Sequence, residues 1–504
     1  MNRQTLLNKA APAALMALML GTALAQDNPP PLVVERPTSA QWYEQGQEAV
    51  RAAQQLQPNT GKARNVILFV GDGMGVTTVT AARILEGQQR NADGESNRLS
   101  FEKFPYLAHS VTASANQQTS DSAPTATAMV TGIKTNEGAL SVDQNIAKNE
   151  SSAEVIAAAS LQTILEQAEA IGLSTGMVST ARITHATPAA NYAHIGNRDW
   201  EGDALLPAGS TVKDIAAQLI DFPHGNGIDV ALGGGRAFFM SNQSVDPEYP
   251  ALKGMRNDNR NLIDQWLTQT HSAYVWDQAG FAAIDTAKTN HLLGLFEPLH
   301  MQYSVDQHKD GAGEPTLAAM TATAIEILQK NADGFYLMVE AGRIDHAHHD
   351  GNAYRALTDT IALDEAVRMA QAMTSSDDTL IIVTADHSHT FTLAGYPSRG
   401  NPILGKAAIN GVPQKDLSGK PYSTLGYANG PGYTGDGPRP DLSAIDTMHP
   451  DYLQEAAIPL EDETHGGEDV AIYADGPLAH LFHGTMEQNV IYHVMAAALG
   501  LNQQ

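Results

Sequence analysis

Six short apolar runs, at 66–70, 176–179, 228–232, 335–339, 380–384 and 470–473, constrain this chain more than any other feature. They are rich in Val, Ile, Leu and Phe, and helix-like segments such as 152–171 and 315–328 lie between them. A strand that is apolar on both faces must be covered on both faces. Alternating strands and helices achieve this by winding a mostly parallel sheet between two helical layers. The sequence therefore predicts the α/β class, with a large, mostly parallel central sheet and helices on both faces. The alternation fails from about 395 to 459, where Gly, Pro, Asn and Tyr are frequent and no long periodic segment occurs. Tyr and Leu recur through that stretch, which favours a surface insertion over a disordered loop. Residues 39–56 read as an amphipathic helix with Trp42, Ala49, Val50, Ala53 and Leu56 on one side, and 491–501 as a closing helix. Residues 26–504 are expected to form one domain.

The first 25 residues read as a signal peptide. Arg3 and Lys9 precede an apolar stretch, and Ala23 and Ala25 fit the small-x-small cleavage pattern. The apolar stretch is too short to span a bilayer, and no hydrophobic anchor signal follows the closing helix. The expectation is an exported protein, periplasmic or secreted, with no membrane anchor. There is no Cys in 504 residues, so any zinc must be held by His and carboxylates. A formal net charge of −26 repels nucleic acid and anionic membranes, so no nucleic-acid-binding surface is expected. The same charge repels anionic substrates. An anion site here must build its positive potential locally, from metals or a well-placed Arg.

The chemistry gathers at the ends of the apolar runs, where open parallel sheets bind ligands. The run at 66–70 leads into Gly71-Asp72-Gly73-Met74-Gly75. The run at 335–339 leads into Glu340, Asp345, His346, His348 and His349, with Asp345 and His349 at i, i+4 spacing. The run at 380–384 leads into Asp386-His387-Ser388-His389, and Thr464-His465-Gly466-Gly467-Glu468-Asp469 precedes the last run. Carboxylates and imidazoles converging on one sheet edge are what a cluster of divalent ions requires. The nucleophile candidate is Ser122, in Asp121-Ser122-Ala123-Pro124, just before a small-residue helix whose N-terminal N–H groups and dipole favour an anion.

In these motifs, together with His185-Ala186-Thr187-Pro188-Ala189 and Asn197-Arg198-Asp199-Trp200, the chain resembles the alkaline phosphatase family over nearly all of its length after the leader. The resemblance implies phosphate-monoester hydrolysis through a phosphoserine on Ser122. It implies two zinc ions, one held by Asp345, His349 and His465 and the other by Asp386, His387 and Asp72. It also implies one magnesium, held by Asp72, Thr187 and Glu340. Arg198 matches the phosphate clamp and Asp121 the residue that orients it. His185 and His346 follow the animal pattern, where enteric bacterial members have Asp and Lys, so metal selectivity and pH optimum do not transfer directly. Animal members also imply a calcium ion held by Glu248, the Phe296 carbonyl, Glu297 and, with a two-residue gap, Glu314. The insertion matches the family's crown and the first helix one that packs on a partner subunit, so a homodimer is implied. The rival enzyme readings are a phosphodiesterase, which should lack Arg198, and a sulfatase, which needs a Cys. A binding protein without turnover would have no use for Ser122 and Arg198 together.

Overall fold

The computed structural model describes residues 37–435 and 437–501. The leader lies outside them. Among the described residues the central sheet has ten strands. Its parallel part contains β1 (Asn65–Gly71), β3 (Ser174–Arg182), β4 (Val230–Gly234), β5 (Ser272–Val275), β6 (His291–Leu295), β7 (Phe335–Ala341) and β8 (Thr379–Ala385), in the order β8-β1-β7-β3-β4-β6-β5. Beyond β8 lies Val470–Asp475, antiparallel to its neighbours, then β2 (Tyr106–Val111) and the short Thr485–Glu487. All seven residues of β1, β7 and β8 are buried. Their alternate side chains enter two separate cores: Val66, Leu68, Met338 and Ile382 on one face, Ile67, Phe69, Leu337, Val339 and Val383 on the other. This is the two-sided burial that the apolar runs require.

Register makes the site. Gly71 pairs with Ala341 on one side and Ala385 on the other, so Asp72, Gly342 and Asp386 leave the sheet side by side. Ser179 pairs with Glu340 in the next strand over. Helix α2 (Val76–Gln89) follows β1, and helix α3 (Ser122–Thr131), buried along its whole length, lies beneath the same edge.

Several expectations change in detail. The helix-like stretch 152–171 is two helices, Ala153–Ala159 and Ile164–Ala170. Ser160 bridges to Val142 between them, and Thr163 starts the second helix with a capping box to Glu166. β2 and β5 gave no clear apolar run, and the short run at 292–296 that forms β6 is not among the six above. The described residues of the stretch 395–459 form short paired strands. Leu425–Gly430 pairs with Phe391–Leu393 and with Ala456–Pro459, and Ala408–Ile409 pairs with Val412–Pro413. The helix α1 (Ser39–Gln55) forms with a capping box from Thr38, yet none of its residues is buried. Its apolar side, with Trp42, Tyr43 and Val50 exposed, is not covered by the chain's own core. No described helix is long and apolar enough to cross a membrane.

Candidate active site

Ser122 opens α3 and is 2% exposed. Its Oγ lies 3.1 Å from His387 Nε2 and 3.4 Å from Asp72 Oδ1. Asp121, the residue before the helix, does not cap it. Instead Oδ2 accepts from Gly138 N (3.1 Å) and Oδ1 receives Arg198 Nη1. Arg198 Nη2 donates to His185 Nε2 (2.8 Å), and the Arg198 backbone N–H donates to Gly138 O (2.8 Å). Burial opposes the charge on both members of the pair. The pairing nevertheless wins: it holds Asp121 below the usual carboxylate range and Arg198 above its ordinary value. The guanidinium therefore stays charged at every accessible pH.

Asp345, His349 and His465 converge. His349 and His465 bring their Nε2 atoms to 3.1 Å from each other and to 3.3 and 3.4 Å from Asp345 Oδ1. Each ring donates its Nδ1 proton to a backbone carbonyl, His349 to Glu463 (2.5 Å) and His465 to Ser120 (2.7 Å). That fixes the tautomer and leaves the two Nε2 lone pairs pointing at one another beside a carboxylate. Positive charge between them, a metal ion or a proton on His349 Nε2 that the Asp345 carboxylate favours, makes that arrangement favourable.

Next to this triad, Asp72, Asp386 and His387 group together, all fully buried. Asp386 Oδ1 accepts from Gly73 N and His387 N, both at 2.9 Å, and Oδ2 has no hydrogen-bond partner, with His387 Nε2 3.3 Å away. Gly73 has φ +68°, and a Cβ there would collide with His389 Nε2. Only Gly allows the backbone to turn this closely past the ring. On the far side of Asp72 lie Glu340 and Thr187. Glu340 Oε2 receives Ser179 Oγ, while Asp72 Oδ2, Glu340 Oε1 and Thr187 Oγ1 are buried with no hydrogen-bond partner. Burial, then repulsion from Asp345, Asp386 and Glu340, raises the Asp72 carboxyl well above its usual range; burial lifts Glu340 to about 7. Orphaned oxygens packed against like charges are costly unless a divalent ion supplies the missing positive charge. Around Glu340 the oxygens of Asp72, Glu340 and Thr187 suit magnesium, with His185, whose buried Nδ1 has no hydrogen-bond partner, in the same group as Asp72 and Glu340; the mixed nitrogen and oxygen donors around His387 and His465 suit zinc.

The structure thus brings together the zinc- and magnesium-ligand candidates, Ser122, Asp121 and Arg198. His185 and His346 face each other across 5.5 Å between ring centroids at the rim of this group. Three residues given no role from the sequence join them. His300 lies 4.1 Å from the His346 ring. His389 donates Nε2–H to Asp345 Oδ1 at 2.9 Å and Nδ1–H to Glu463 Oε2 at 2.5 Å. His389 sits in the Asp386 motif and its strand pairs directly with His465; Glu463 carries no motif signal beyond its nearness to His465.

The second metal candidate needs one correction. Glu248 and Glu297 cluster with Asp310 rather than with Glu314. Glu314 lies beside them: its Oε1 accepts from Gln302 N (2.9 Å) and its Oε2 is buried without a partner. Phe296 directly precedes Glu297 at the end of β6. Glu248 Oε1 and Asp310 Oδ2 are also unpartnered. Burial, with the neighbouring carboxylates, raises Glu248 to about 7 and Glu314 to about 8. The gap that aligned Glu314 hid Asp310, which reaches the cluster from the turn after Gln307–Lys309.

A buried serine at a helix N-terminus, an Arg clamp and abutting groups of metal donors on a parallel sheet edge define a metal-dependent hydrolase acting on an anionic group. Comparison with known proteins gives the family. The alkaline phosphatase family model matches residues 63–501. The tissue-nonspecific isozyme of alkaline phosphatase from Gallus gallus is 45% identical, covering 97% of this chain and 95% of its own. An alkaline phosphatase from Gadus morhua is 44% identical over 93% of this chain and 98% of its own. Among solved structures, Thermus thermophilus alkaline phosphatase superposes with a TM-score of 0.64 at 24% identity, covering 94% of this chain and 97% of that one. The chain belongs to the alkaline phosphatase family and is a phosphomonoester hydrolase with a metal-dependent site.

Proposed function

We propose that this hydrolase works through a phosphoserine on Ser122, in a single catalytic domain. Two zinc ions would be held by Asp345, His349 and His465 and by Asp386, His387 and Asp72. One magnesium would be held by Asp72, Thr187 and Glu340. The observation that carries the reading is the place of Ser122 Oγ, at the start of α3 and within 3.4 Å of two donors, Asp72 and His387. When bound, the metals supply positive charge to the attacking and leaving oxygens of an in-line displacement. Ser122 Oγ loses its proton and attacks phosphorus, the bond to the alcohol oxygen breaks, and that oxygen takes up a proton as the alcohol leaves. Water then attacks the phosphoserine and loses a proton, the P–Oγ bond breaks, Ser122 Oγ takes up a proton and inorganic phosphate departs. Arg198 grips non-bridging oxygens with the N–H groups that Asp121 and His185 leave free, and Asp121 holds the fork in place. The test is acid quenching with a labelled monoester: label is expected on Ser122, and label on any other residue overturns the assignment.

The acidic group of Glu248, Glu297 and Asp310, with Glu314 beside it, supports a further calcium site, with the Phe296 carbonyl as a neutral ligand. The uncovered face of α1 supports a homodimer in which Trp42, Tyr43 and Val50 are buried against a second copy. Light scattering of the chain with and without residues 37–56 tests this, and an unchanged mass would refute it. Export to the periplasm or medium, by cleavage near Gln26, is checked by N-terminal sequencing.

A further inference from the structure

We propose that Glu463, at the return of the insertion into the sheet, is a positioning residue for the first metal site, holding both Asp345 and His349 in ligand geometry. The proposal rests on the reading of those two residues as metal ligands. The Glu463 side chain is fully buried and both its oxygens are used. Oε1 accepts from Thr390 N at 2.7 Å and from Thr390 Oγ1 at 2.5 Å; Oε2 accepts from His389 Nδ1 at 2.5 Å. His389 passes the constraint on, donating Nε2–H to Asp345 Oδ1 at 2.9 Å. Both neighbours of the ring are acceptors only, so the ring keeps a hydrogen on each nitrogen and its orientation is locked. The backbone of Glu463 makes a second clamp. Its carbonyl accepts from His349 Nδ1 at 2.5 Å and its N–H donates to the His349 carbonyl at 2.9 Å. One residue thus sets the orientation of a carboxylate ligand and the tautomer of an imidazole ligand.

The insertion holds Glu463 there. Thr464 N donates to Asn429 Oδ1 (3.0 Å) and Asn429 Nδ2 donates to Thr464 Oγ1 (2.8 Å), which ties the loop to the strand Leu425–Gly430. Gly430 closes the gap: it has φ +126°, and a Cβ there would stand 2.9 Å from Glu463 Cβ. The surface insertion is therefore mechanically continuous with the first metal site.

A Gln at 463 can keep its oxygen on Thr390 only by turning its N–H groups toward His389 Nδ1, so the ring must give up that proton, and the charge-assisted clamp on Asp345 is lost. The experiment is zinc affinity of the chelator-stripped full-length chain, read by competition with a chromophoric chelator, with melting temperature followed in parallel. E463Q should bind its weaker-held zinc about 10- to 100-fold less tightly, with kcat/KM recovering as zinc is raised. N429A, which only loosens the loop, should weaken zinc several-fold. E461Q, exposed on the same loop, should not differ from wild type. E463Q with wild-type zinc affinity, alongside H349A that loses zinc, overturns the proposal and spares the ligand assignment. H349A with wild-type zinc affinity overturns the ligand assignment and the proposal with it. If E463Q does not fold, N429A decides, and wild-type affinity there overturns the proposal.

Discussion

Replacing Arg198 by Ala isolates the group that distinguishes a monoester from a diester. Two of the five guanidinium donors are used within the protein, Nη1 on Asp121 and Nη2 on His185, so three N–H groups remain for substrate. A phosphate monoester has three non-bridging oxygens, enough to serve both the metals and the guanidinium fork. In a diester one of those oxygens carries a second alkyl group, and the fork gains less. A charge-assisted hydrogen bond contributes about 1.5–3 kcal/mol. At about 1.4 kcal/mol per factor of ten, its loss lowers kcat/KM for the monoester roughly 10- to 150-fold. Inorganic phosphate binding weakens in parallel. Because the carboxylates around Arg198 hold its pKa above the ordinary value, the size of the effect should not change between neutral and alkaline pH. The assay is kcat/KM for an aryl monoester and its methyl diester, in wild type and Arg198→Ala, with zinc and magnesium saturating. Equal losses on the two substrates would show that Arg198 is not the discriminating group.

Ser122→Ala should abolish the labelled phosphoenzyme and most of the rate; label at the wild-type level on the variant rules out Ser122. Chelation should abolish activity and lower the melting temperature, with zinc plus magnesium restoring both, and full activity of a verified metal-free sample would refute the metal reading. Calcium should raise the melting temperature of the wild type by a few degrees through binding to the folded form alone, and Asp310→Asn should remove most of that gain; an undiminished gain excludes Asp310. Glu169, buried beside Asp229 and accepting from Thr175 Oγ1, has its carboxyl raised to about 8, by burial first and Asp229 next. A raised folded pKa favours the protonated folded form, so this stability is present below the usual carboxylate range and is lost as pH climbs toward 8. Glu169→Gln should flatten the fall in urea-unfolding stability between pH 5 and 9, by at most about 5 kcal/mol; an unchanged slope refutes it.

The sequence by itself determined the sheet core and brought out the carboxylates and imidazoles at its edge. Runs such as 66–70 and 335–339 are apolar at every position, and only a strand covered on both faces satisfies that pattern. Side chains that can hold a metal are few in kind, and several fell immediately after those runs, so Asp72, Glu340 and Asp386 stood out as candidates in the sequence. Local signals failed where tertiary contacts decide. β2 and β5 are partly exposed strands of ordinary composition, formed because neighbours offered hydrogen bonds. Asp310 and Glu314 are equally acidic, and only the path of the loop after β6 separates a clustered carboxylate from its neighbour. Glu463 and His389 were invisible as positioning residues because their effect depends on orientation. Orientation depends on distances across a 74-residue separation in sequence, and no periodicity encodes those. The apolar side of α1 was legible as a face, but that the chain's own core leaves it uncovered is a fact of packing, which only the folded structure supplies.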